Sequence, residues 1–106
     1  MKKYIYITLL LLGSASALAG ELVNGATVVE IANNNSGAEF VIKTSGGSGI
    51  CTNTFITFPE SRAPSPTAHK HGIANAMLAF VAGKKVRVHN FIDNSCSGAS
   101  FISVSN

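Results

Sequence analysis

The stretch IANAMLAFVAGKKVRVHN, residues 73–90, joins two segments of different period. Over 73–82 the one clearly polar side chain is Asn75, and after Gly83 charge alternates with valine. Ile73, Ala76, Met77, Phe80 and Val81 recur at the three- and four-residue spacing of one helix face. Val86 and Val88 alternate with Lys85, Arg87 and His89, as on a half-buried strand. The helix carries its own punctuation. Ser65 suits the N-cap, and Pro66 suits the first helical position because its missing N–H would be unpaired there anyway. Gly83 is a left-handed stop, and Lys84 and Lys85 fall beside the negative end of the helix dipole. The stripe Ile73–Met77–Phe80 is expected to pack inward against the sheet.

Working outward, ATVVEIA (26–32) is β-branched and leads into the turn NNNSG (33–37). In EFVIK (39–43), Phe40 and Ile42 share a face, and SGGSG then breaks the chain. CTNTFITF (51–58) ends at Pro59, KVRVHNF (85–91) follows the helix, and ASFISV (99–104) closes the chain. The fold class is therefore mainly β with one α-helix, in the order β-β-β-α-β-β. That is the order of a small five-stranded OB-like barrel. Its third and fifth strands lie side by side and parallel, which requires a long crossover between them. Cys51 opens the third run and Cys96 precedes the fifth, so parallel neighbours would bring the two thiols together. This agreement favours the barrel over an open antiparallel sheet with the helix on one face, which the same order allows.

The first nineteen residues read as a signal peptide: Lys2 and Lys3, an apolar run over Ile5–Leu12, and the small-x-small motif ALA at 17–19. The run is too short to span a bilayer, and no later stretch is longer, so no transmembrane segment is expected. Residues 20–106 then form a single OB-like domain, secreted or periplasmic. An oxidising compartment makes a Cys51–Cys96 disulfide the expected state, and a domain this small needs such a staple. Without the leader, six Lys and Arg stand against five Asp and Glu, leaving a net charge of +1. Near-neutral charge and export argue against nucleic acid. Both tyrosines lie in the leader and there is no tryptophan, so aromatic stacking falls to phenylalanine.

With these elements placed, TNTFITFPESRAPSPTAHKH (52–71), GKKVRVHNF (83–91) and DNSCSGASFI (93–102) resemble a family of small secreted bacterial proteins of unknown function. The small-and-large helix, GKKVRV and the cysteine before the last strand are similar, over about the last third, to toxin B subunits of the subtilase-cytotoxin type. That likeness implies an OB-fold, disulfide-linked, pentameric glycan binder, and it supports fold and assembly better than sugar binding. It implies no site residue, because no position matches the toxins' sugar site.

Lys85, Arg87 and His89 form a basic stripe that is the candidate ligand-binding face, for an anionic sugar, a lipid headgroup or an acidic partner; protonation of His89 would strengthen it. Ala74, Leu78 and Ala82, on the remaining apolar side of the helix, are the candidate oligomer interface, since an all-round apolar helix is normally covered on more than one side. His69, Lys70 and His71, with His89, are the only metal-like cluster. Residues i and i+2 of a helix point apart, so no metal site is expected; His69 is expected to hydrogen-bond where helix meets sheet, and His71 to face solvent. Glu60 and Arg62 read as connector charges. No catalytic constellation is present, and no cofactor is expected. The reading is a small self-associating binding module with a glycan or protein ligand and no catalysis of its own. The alternatives are a structural or envelope protein that binds another protein and, behind it, a small metal-dependent hydrolase.

Overall fold

The structure, a computed structural model, describes residues 20–33 and 38–106. The leader expected over 1–19 and most of the turn over 33–37 lie outside them. Five strands and one helix follow in the order β1 (Glu21–Asn33), β2 (Glu39–Ser45), β3 (Phe55–Pro59), α1 (Pro66–Ala82), β4 (Lys85–His89) and β5 (Phe101–Ser105), with a single 3-10 turn at Glu60–Arg62 between β3 and α1. The strands form one sheet in the spatial order β3-β2-β1-β4-β5, and every neighbouring pair is antiparallel.

β1 is the spine. Its first half pairs with β4, from Glu21 opposite His89 to Thr27 opposite Lys85, and its second half pairs with β2, from Thr27 opposite Ser45 to Asn33 opposite Phe40. The expected start at Ala26 was five residues late. The strand runs back through Gly25, whose positive φ of 73° sits at one of three register shifts along β1. Each extra residue bends and twists the strand. The bends curl the sheet and put the consecutive residues Leu22 and Val23 both in the core.

Closure comes from the stretch that leads into β5 rather than from β5 itself. The Thr57 N–H donates to the Cys96 carbonyl at 2.8 Å, and the Ala99 N–H donates to the Thr57 carbonyl at 3.0 Å. These two bonds are the whole of the backbone pairing there: β3 and β5 are the opposite edges of the sheet, so the expected parallel pairing of third and fifth strands is not formed and only the chain before β5 reaches β3. Cys51 and Cys96 form a disulfide across a sequence separation of 45, and it clamps this junction. β3 begins at Phe55, not at Cys51, because the chain first turns through Asn53 with a φ of 62°. The core holds Phe40, Ile42, Ile56, Phe58, Val86, Val88 and Ile102, and the Phe40 and Phe58 rings stack 4.4 Å apart.

The helix ends fall where their caps place them. Ser65 Oγ accepts from the Ala68 N–H at 3.1 Å, Pro66 opens the helix, and Gly83 is left-handed with its N–H bonded to Ala79 O. Its packing face corrects the expectation. His69, Ala76 and Ala79 are buried, whereas Met77 and Phe80 are about half exposed and Val81 is almost wholly exposed. Gly72 explains the inversion: a Cβ there would lie 3.6 Å from Phe40 Cζ and 3.8 Å from an Ile102 methyl. The helix is seated so low at Gly72 that a small residue is needed there; His69 is buried near the N-terminal end and Ile73 still packs against the core, but Met77, Phe80 and Val81 are displaced to the flank and outer side.

Candidate binding site on the β4–β5 face

Alternation along β4 turns Val86 and Val88 into the core and leaves Lys85 and Arg87 exposed, with His89 half-buried. None of the three cations stands free. Lys85 Nζ donates to Thr27 Oγ1 at 3.1 Å. The Arg87 guanidinium lies over the Phe101 ring, 5.7 Å from its centre. His89 Nε2 is 3.6 Å from Glu21 Oε2, a separation at which a protonated imidazole and the carboxylate attract.

The stripe is also more aromatic than the sequence reading allowed. His89 stacks on Phe91 with ring centres 5.5 Å apart, and Phe101 meets His89 edge-on at 5.6 Å and Phe91 at 5.9 Å. Phe91 was within reach of the sequence, since the period of two that aligns Lys85, Arg87 and His89 also includes residue 91. Phe101 was not, because only the β4–β5 register sets it opposite His89.

Beyond β4 the chain enters a loop knotted around one side chain. Asn90 is 1% exposed. Its Oδ1 accepts from the backbone N–H groups of Ile92 at 3.0 Å and Asp93 at 3.2 Å, and its Nδ2 donates to Ser95 O at 2.9 Å and to the Asp93 carboxylate. The Asn90 N–H bonds Gly20 O, and the Gly20 N–H bonds Asn94 Oδ1, both at 2.8 Å, so the start of β1 is tied in. Arg62, expected to be a connector charge, reaches into the knot. Its guanidinium is 3.4 Å from Asn90 Oδ1 and 3.8 Å from Asp93. Gly98 makes room, since a Cβ there would come within 2.7 Å of Arg62 Nη1. The hydrogen bond from the Ser95 N–H, then that from Asn90, then the charge of Arg62 hold the Asp93 carboxyl below its usual range.

The knot presents Phe91 and Ile92 at 70% and 73% exposure. Together they form a ridge between two hollows. One, of about 370 Å³, is lined by Gly20, His89, Asp93 and Asn94; the other, of about 510 Å³, lies toward the helix and is lined by Arg62, His71, Asn75 and Phe101. Rings, cations and amides arranged in this way suit recognition of a surface with both apolar and polar groups.

The chain belongs to the family of unknown function DUF5992. The family's model matches residues 2–106. No curated protein and no solved structure matches the chain.

Of the remaining sequence candidates only His71 comes near the ridge. His69 donates from Nε2 to Phe58 O at 2.9 Å beneath the helix, where it was expected to bond, and His71 is exposed at the lip of the larger hollow. Among the described residues, no group of three His, Cys, Asp or Glu is placed to hold a metal ion, and no helix is long and apolar enough to cross a membrane. Ala74, Leu78 and Ala82 are all exposed on the outer side of α1.

Proposed function

We propose that this is an exported binding module, secreted or periplasmic after removal of residues 1–19, that recognises its ligand through the Phe91–Ile92 ridge and the Arg87–His89–Phe101 face beside it, without catalysis of its own. The observation that carries this reading is the pairing of a buried anchor with an exposed tip. Leaving a large apolar side chain in water forgoes roughly 1.5–3 kcal/mol of burial. In a flexible loop such residues would fold down onto the protein; here the hydrogen bonds of Asn90 hold the loop backbone beneath Phe91 and Ile92. A rigid apolar tip of this kind gains its burial from a ligand.

A glycan is the ligand class that suits the surroundings. The C–H face of a sugar ring stacks on phenylalanine, and Arg87 and His89 lie close enough to serve an acidic substituent. Glycan-array screening of the exported protein is the test. Binding that falls at least tenfold in both Phe91→Ala and Arg87→Ala supports the reading, and binding untouched by either removes it.

A second reading, an envelope protein whose ligand is another protein, is favoured by Ile92, an aliphatic side chain with no ring face to offer a sugar. An Ile92→Ala variant that keeps every glycan signal but loses a co-purifying protein would decide for it.

A further inference from the structure

We infer that a second copy of this chain covers the outer side of α1, forming a symmetric dimer in which the two helices run parallel and each Leu78 seats in a groove of its partner. The surface is unlike the rest of the molecule. Between Lys70 and Lys84 the helix carries no Asp, Glu, Lys or Arg, and Met77, Leu78, Phe80 and Val81 are exposed by 53%, 56%, 49% and 83%. The patch these four make is on the order of 400 Å², the size at which an apolar patch on a soluble protein marks an interaction site. Ile31, Ile73, Ala74 and Ala82 border it and extend it toward the roughly 800 Å² per partner that a stable interface needs.

The occupant follows from the shape. A groove of about 370 Å³ lies along one flank, between Ile31 of β1 and Ile73, Met77, Phe80 and Val81 of the helix. At about 100° per residue, Ala74 and Val81 mark the outermost line of the helix, the groove is centred roughly 60° to one side of it, and Leu78 stands roughly 60° to the other. A two-fold axis parallel to the helix exchanges those two sides without changing height. It therefore sets each Leu78 against the groove of the other copy, and the groove's helical residues, 73 to 81, bracket position 78. Knob and hole on one surface, at one level, make the self-complementary contact that two-fold symmetry requires. Ala74, small and on the contact line, lets the backbones approach. The same geometry brings the two Lys70 residues to one end of the seam, where their long stems carry the charges out to water.

The inference does not depend on the ligand of the Phe91 ridge, and its test is separate. Sedimentation equilibrium of the purified exported protein is expected to give a dimer at micromolar concentration. Leu78→Glu and Val81→Glu change exposed residues and should keep the wild-type circular dichroism while weakening the dimer roughly 100-fold. Lys70→Ala should tighten it, because one like-charge pair is removed. A wild-type protein that stays monomeric, or a dimer indifferent to both glutamates, overturns the inference. So does a monomer that binds lipid vesicles through Leu78 and Val81, which would give the face to a membrane instead.

Discussion

Asn90 Oδ1 accepts the backbone N–H of Ile92 at 3.0 Å, so a side chain that is itself almost wholly buried sets the position of one of the most exposed apolar residues in the protein. The same oxygen holds Asp93, and the amide nitrogen holds Ser95. Asn90→Ala strands these backbone groups and is expected to cost about 2–3 kcal/mol in urea unfolding. It should also speed amide exchange at Ile92 and Asp93 more than at Val86 or Val88. If the knot positions the ridge, ligand binding weakens in this variant although Phe91 and Ile92 are intact.

The disulfide makes a second point of control. It closes a loop of 45 residues across the junction of β3 with the chain entering β5. The chain-entropy relation gives about 4 kcal/mol for that loop length, so Cys51→Ser with Cys96→Ser should lose stability of that order. Hydrogen exchange is expected to show Thr57 and Ala99 opening first, because their bonds form the closure that the link clamps.

Gly72 offers a test of opposite sign. Its φ is ordinary, and a Cβ there meets its nearest neighbours at normal contact distances. Gly72→Ala should therefore raise stability by about 0.5–1 kcal/mol through helix propensity and reduced freedom of the unfolded chain. Gly72→Leu should do the reverse, because Phe40 and Ile102 leave no room for a branched side chain. Thermal melts of the two variants on either side of wild type would confirm how low the helix sits.

Acid should loosen the loop. The Asp93 carboxyl is held below its usual value of about 3.8, first by the Ser95 N–H, then by Asn90 and by Arg62. A folded-state pKa below the unfolded one means that the contribution of Asp93 is complete above the usual value and is lost as pH falls below it toward the lowered one. A carboxyl-carbon NMR titration is expected to place the Asp93 midpoint below that of a random-coil aspartate. Asp93→Asn should remove the acid sensitivity of the Ile92 and Ser95 amides.

Much of this architecture was legible in the chain because its signals are local. Ser65, Pro66 and Gly83 bound the helix through bonds that reach only a few residues, and the alternation of Phe40 with Ile42 and of Val86 with Val88 is a property of any strand. The two cysteines were legible for a different reason: an expected topology brought their positions together. The candidate site was half legible. Lys85, Arg87 and His89 share a face by their period, but the part played by Arg62 depends on a loop 28 residues away.

By itself, then, the sequence determined the element order, the helix boundaries, the pairing of Cys51 with Cys96 and which side of β4 faces outward. Only the tertiary structure decided which side of α1 is buried. On a helix apolar all round, burial free energy does not choose between faces; the space left by the sheet does, tight against Phe40 and Ile102 at Gly72, so that Ala76 and Ala79 are buried while Met77, Phe80 and Val81 are turned away. The ridge arose in the same way. Asn90 can hold Phe91 and Ile92 in water only because residues distant in the chain, Gly20 and Arg62, close around its loop, with Gly98 leaving room for the guanidinium.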